Sequence, residues 1–130
     1  MVTDTKVRTD HKIAYGTQNM TKGPAMTREQ AVKGLEAGID MVRELNDKGY
    51  RILATGEMGI GNTTTSTAVA AALLDLEVEQ VTGKGAGLTD EALKRKCRVI
   101  EDAIEKYSLR DADAFTILKT VGGMDIAGLT

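Results

Sequence analysis

Apolar side chains recur every three or four positions at Ala31, Val32, Leu35, Ile39, Val42 and Leu45, and this spacing predicts a helix. Thr27 and Gln30 mark its start as a capping box, and Lys48-Gly49 marks its stop. The pattern then changes. Tyr50–Thr55 is a short apolar run that predicts a strand. After the glycine loop GEMGIG, Thr63–Leu74 is rich in alanine and polar mainly at its start, as expected of a helix packed closely on a sheet. Val78–Thr82 reads as a weak strand leading to a second glycine loop, GKGAG. A long helix is predicted from about Thr89 to Tyr107, and a shorter one from about Asp111 to Lys119 that ends at Gly122-Gly123. Upstream of all these, the chain is polar. Only KIAYGTQN is strand-like there, and TKGPAMT is a loop leading into the first helix.

Helix, strand, helix, strand, helix is the order of an α/β domain with parallel strands joined by right-handed crossovers. Ligands of such sheets bind beyond the carboxyl ends of the strands. Both glycine loops follow a predicted strand and open a predicted helix, so both are expected on that edge. Six of the fourteen glycines sit in them, where backbone either turns sharply or approaches a ligand.

The first loop nearly spells a phosphate-binding motif. Gly56–Thr63, GEMGIGNT, fits G-x-x-x-x-G-K-[ST] except that Asn62 stands where the lysine belongs. A cation is available elsewhere. On the helix after the second loop, Ala92, Leu93, Lys96, Val99, Ile100, Ala103, Ile104 and Tyr107 share one arc, in which Lys96 is the only charge. A lysine there either snorkels to an edge or meets an anion, because an unpaired buried ammonium is costly. Helical side chains lean toward the helix N-terminus, so Lys96 reaches back toward Gly85–Leu88. Lys84, at the loop tip, is the alternative cation. Asn62, Thr63 and Thr64 offer donors to phosphate or ribose oxygens, or cap the helix they open. Glu57 would repel a phosphate, so it either faces a cationic or proton-donating part of a ligand or caps loop amides.

Composition narrows the classes. In 130 residues there are 17 basic and 19 acidic side chains, three tyrosines, one phenylalanine and no tryptophan. A basic surplus and stacking platforms are both lacking, which argues against nucleic acid as a partner. With one cysteine, Cys97, and one histidine, His11, there is no disulfide framework and no support for a Cys/His zinc site. No apolar run reaches the roughly 18 residues of a membrane span, and the N-terminus lacks a signal-peptide core. A cytoplasmic single domain covering residues 1–130 is the expectation, its Cys97 a core thiol and its His11 on the surface.

GEMGIGNTTTSTAV and GKGAGLTDEALKRKCRVIEDAI, preceded by YGTQNMTKGPAMTREQAVKGLEAGI and closed by VGGMDIAGL, resemble the nicotinate-nucleotide–dimethylbenzimidazole phosphoribosyltransferases over nearly the whole chain. The family's second loop usually reads GRGTGLDD, from which Lys84, Ala86 and Thr89 depart conservatively. The resemblance implies a Rossmann-like three-layer αβα fold with a small, mostly parallel sheet, in a homodimer. It implies transfer of phosphoribose from nicotinate mononucleotide to 5,6-dimethylbenzimidazole, giving α-ribazole 5′-phosphate for the lower ligand of cobalamin, with no metal or other cofactor. Carried over by position, Gly59 and Gly85 contact the nucleotide phosphate through their amides, Lys96 binds it, and Glu57 lies near the reacting bases. Gly61, Asn62, Thr63, Gly83 and Gly87 complete the expected substrate-binding set. Family members are more than twice as long, with a base-binding GSLG-type motif before this region and the general-base glutamate after it. Neither motif occurs here, so the expectation is a truncated central domain, inactive alone. Two other classes remain: a non-catalytic nucleotide-phosphate-binding or dimerisation module, and a P-loop NTPase, which the missing lysine disfavours.

Overall fold

The computed structural model describes residues 10–85 and 87–130; the leading MVTDTKVRT and Ala86 lie outside the described residues. Among the described residues six α-helices follow one another: α1 Arg28–Asp47, α2 Thr63–Leu74, α3 Val78–Val81, α4 Asp90–Lys106, α5 Ala114–Val121 and α6 Met124–Leu129, with a short 3-10 turn at Leu109–Asp111. No strand occurs among the described residues. The expected α/β architecture, a Rossmann-like three-layer αβα fold around a mostly parallel sheet, is therefore corrected to an all-helical one.

None of the predicted strands forms among the described residues. The Tyr50–Thr55 segment is irregular and exposed, with Ile52 90% accessible. A strand exists only through ladder bonds to a neighbour, and here the Tyr50 amide turns back to the carbonyl of Leu45 while the Arg51 guanidinium donates to that of Asn46. The segment thus closes the end of α1. Val78–Thr82 instead forms the single turn α3. Its two valines, three apart, face one side, Val78 is buried, and the Thr82 hydroxyl donates to the carbonyl of Val78 at 2.5 Å. KIAYGTQN is a coil. Just beyond it, residues 18–26 are pinned by backbone bonds from Ala25 to Thr120 and from Met26 to Lys119, 2.9 and 2.8 Å.

The long helices form as their patterns predict. Thr27 and Gln30 make both bonds of the capping box of α1, and Thr89 caps α4 by accepting from the amide of Ala92. Asp113 caps α5 by accepting from the amide of Thr116, so α5 begins later than the predicted Asp111. Gly122-Gly123 ends α5 but does not end the fold, since α6 follows immediately.

Two cores result. The larger joins α2, α3, α4, the 3-10 turn and α5 through Ala68, Ala71, Val78, Ile100, Ala103, Ile104, Leu109, Ile117 and Val121. Fully burying each of its isoleucines stabilises the fold by about 1.5–3 kcal/mol. The smaller core joins α1 to α5 and α6 through Met26, Ala31, Leu118 and Ala127. There α1 and α6 touch so closely that a Cβ on Gly38 would lie 2.3 Å from the carbonyl oxygen of Gly128. Beyond that crossing α1 has no buried residue, and Ile39 and Val42, part of the predicted helical spacing, are about half exposed at 49% and 54%. On α4 the predicted arc fits, with Lys96, Ile100, Ala103 and Ile104 all buried. Cys97, read as a core thiol, is half-buried against the larger core, and His11 is exposed.

Candidate functional site

The closeness of α2 to α4 through small side chains brings the second glycine loop over the first residue of α2. Gly85 has φ +58°, a left-handed conformation that favours glycine. A Cβ there would also stand 3.1 Å from the Thr63 hydroxyl. Lys96, one and a half turns into α4, leans back into this junction. Its ammonium donates to the Thr63 hydroxyl and to the Gly83 carbonyl, both at 3.0 Å, and the residue is only 7% exposed.

These contacts leave unused capacity. An ammonium has three N–H donors, two of which are engaged, and both acceptors are neutral. No carboxylate lies within ion-pair distance of Lys96 among the described residues. Thr63 accepts from Lys96, so its own hydroxyl proton is available to a further acceptor. The N-terminus of α2 begins at this same residue, and no side chain caps it. Its first-turn amides and dipole add positive potential. Lys84, the alternative cation, is paired with Asp90 at 2.7 Å on the surface.

The remaining candidates gather on the other side of Asn62. Glu57, Gly61 and Asn62 line a groove of about 310 Å³ together with Thr17, Thr65, Gly123 and Asp125. The Glu57 carboxylate accepts from the Gly59 amide, so it caps its own loop. Asn62 stands at the capping position of α2 but with φ −106° and ψ −11°, away from the extended conformation usual there, and makes no capping bond. Its side-chain amide donates instead to Asp125 of α6 at 3.0 Å. Gly83 and Gly87 are exposed, Gly83 contributing its carbonyl to Lys96.

Thus Thr63, Gly83, Gly85 and Lys96 meet at one point, while Glu57, Gly59, Gly61 and Asn62 form a neighbouring loop wall. Asp125 is the participant that sequence reasoning missed. Its signal was an acidic side chain two positions after the Gly-Gly pair, in the first turn of a helix. A larger surface groove, about 780 Å³ between α3 and α4, is lined by Glu77, Val78, Leu93, Cys97 and Arg98 and holds none of the candidates.

Together these features define a helical unit in which the second glycine loop and the first residue of α2 meet over a buried lysine. A family model described as phosphoribosyltransferase matches residues 1–130, and the chain belongs to that family. It is 52% identical over 118 residues to the nicotinate-nucleotide–dimethylbenzimidazole phosphoribosyltransferase of Clostridium acetobutylicum, covering 91% of this chain and 34% of that protein. It is 49% identical over 118 residues to the protein of the same name from Geobacter sulfurreducens, with the same coverage of 91% and 34%. Among solved structures it resembles CobT from Thermus thermophilus, with a TM-score of 0.85 and 38% identity over 92% of this chain and 36% of that one. The chain spans about a third of the length of these relatives.

Proposed function

We propose that the chain is the nucleotide-phosphate-binding part of an enzyme that transfers phosphoribose from nicotinate mononucleotide to 5,6-dimethylbenzimidazole, forming α-ribazole 5′-phosphate for cobalamin assembly. The observation that carries this is Lys96, a buried ammonium held by two neutral oxygens at an uncapped helix N-terminus. Burial without a counter-charge is unfavourable in the free protein and is relieved by an anion. A phosphate monoester is such an anion. It would accept from the third N–H of Lys96, from Thr63 and from the first amides of α2.

Held there by its 5′-phosphate, the nucleotide extends its ribose along the wall of Asn62 and Gly61 toward Glu57. The transfer itself is a displacement at the anomeric carbon with inversion. The azole nitrogen forms the new bond as nicotinate leaves with the electron pair of the old one, and the azole proton is lost. Glu57 contributes as a neighbour of the bases, whereas no side chain here is assigned as the principal base. The full reaction therefore belongs to the parent enzyme, a pentosyltransferase acting in the cytoplasm as a homodimer without metal, nucleic acid or membrane, and this chain alone is inactive.

The test is a chimera in which this chain replaces the matching third of the Clostridium acetobutylicum relative. Transfer to dimethylbenzimidazole is expected, with a raised KM for nicotinate mononucleotide when Lys96→Met is introduced. A folded chimera that transfers nothing, or a KM that Lys96→Met leaves unchanged, overturns the proposal. The second reading, a binding or dimerisation module, is favoured by the exposed apolar side chains of Ile39, Val42, Ile52, Met58 and Ile60. Nucleotide binding by a folded chimera without turnover would support it.

A further inference from the structure

Asparagine at a helix N-terminus ordinarily turns its side-chain oxygen back onto the amides of the first turn. Asn62 does not: its backbone stands at φ −106°, ψ −11°, and its side-chain amide donates to the Asp125 carboxylate across 63 positions of sequence, in a half-buried bond of 3.0 Å. A second observation shows that the fold makes room for this carboxylate. A Cβ on Gly123 would lie 2.1 Å from the Asp125 Oδ1, although the φ of Gly123, −123°, is one that any residue adopts. A methyl at 123 would therefore push the Asp125 carboxylate aside without straining the backbone.

We propose that Asp125 is a positioning residue that holds Asn62 off the end of α2 and so keeps the first-turn amides open for the phosphate; the inference rests on the phosphate site proposed above. Asp125 itself repels an anion, so its charge works against binding and only its role as acceptor works for it. The two contributions have opposite signs and can be separated. With Asp125→Ala the amide of Asn62 loses its acceptor, the side chain swings round and caps α2, and the anion must displace that cap. With Asp125→Asn the charge is lost but a side-chain oxygen remains to accept from Asn62.

The experiment is calorimetric titration of the 130-residue chain with nicotinate mononucleotide and, separately, inorganic phosphate, with far-UV circular dichroism to verify folding. Relative to the natural chain, Asp125→Ala should weaken binding about fivefold, the equivalent of one asparagine cap. Asp125→Asn should bind as tightly or more tightly. Gly123→Ala, whose methyl displaces the carboxylate, should imitate Asp125→Ala and serves if that variant does not fold. In an Asn62→Ala background, which has no side chain to swing, Asp125→Ala should change affinity less than about twofold.

Equal effects of Asp125→Ala and Asp125→Asn, or an undiminished loss in the Asn62→Ala background, would overturn the inference while leaving the phosphate site standing. Failure of the natural chain to bind either probe would overturn the phosphate site and the inference with it. The side-chain amide resonance of Asn62 reports independently of ligand. It should shift on Asp125→Ala in the free protein, and an unmoved resonance counts against the inference.

Discussion

Around the second glycine loop the chain closes on itself. Lys96, Thr63, Gly83 and Gly85 are joined by hydrogen bonds and contacts, and the helix carrying Lys96 is anchored by Ile100, Ala103 and Ile104, each at most 1% exposed. Around the first loop the chain stays open. Residues 51–61 are exposed along their whole length, and within the loop Glu57 caps its own Gly59. The two loops have similar glycine spacing, so glycine content did not decide the difference. The element before each loop differs: the turn α3, packed on the larger core, before the second, and a six-residue exposed segment without a pairing partner before the first. In the proposed function the closed region is the phosphate grip and the open region is one wall beside the reacting bases.

The largest effect that could break this comparison concerns stability. Ile104→Ala should destabilise the chain by about 2–5 kcal/mol, whereas Ile52→Ala should fall within about 0.5 kcal/mol of the natural chain. Urea unfolding measures both, and similar losses would show that residues 50–55 are packed as firmly as α4. Next in size is the lysine. Lys96→Met preserves the aliphatic stem while removing the charge, and should weaken nicotinate mononucleotide binding by about 1.5–3 kcal/mol with little change in fold stability. Lys84→Met should alter binding by less than about 0.5 kcal/mol, since Lys84 is a surface partner of Asp90.

Much of this was legible before the fold, and the reasons differ by residue. Thr27 with Gln30, and the arc holding Lys96, depend on neighbours within one or two turns, so local spacing specifies them. Tyr50–Thr55 has the side chains of a strand but its state depends on remote pairing, which no local pattern encodes. The two valines of Val78–Val81 suit a strand or one turn of helix equally, and burial against α4 selected the turn. The pair Gly122-Gly123 read as a stop because glycine ends helices. α5 does end there, the Gly122 amide donating to the Leu118 carbonyl, but a further helix, α6, starts directly after the pair. The Asn62–Asp125 bond was invisible for the same reason as the missing sheet, since 63 residues separate its partners.

Smaller effects sharpen the contrast between self-contained and open regions. Thr27→Ala removes one half of the capping box of α1 and should cost about 1 kcal/mol in urea unfolding. Asp113 gives the smallest effect, through pH. Its carboxyl is held below the ordinary aspartate range, first by the Thr116 hydroxyl and then by the Thr116 amide. A carboxyl depressed in the folded state contributes stability that is present above its unfolded pKa and lost as pH falls through the folded one. Melting temperature should therefore fall with acidification more steeply in the natural chain than in Asp113→Asn, and identical acid limbs would remove this cap from the account.

The phosphate grip is tested most directly by backbone amide NMR of the 130-residue chain titrated with nicotinate mononucleotide. The shifts should be greatest at Thr63, Thr64, Gly83 and Gly85, should saturate, and should vanish in Lys96→Met with the remaining spectrum unchanged. Saturable shifts centred elsewhere, such as the groove between α3 and α4, or shifts at the same amides that persist in Lys96→Met, would contradict it.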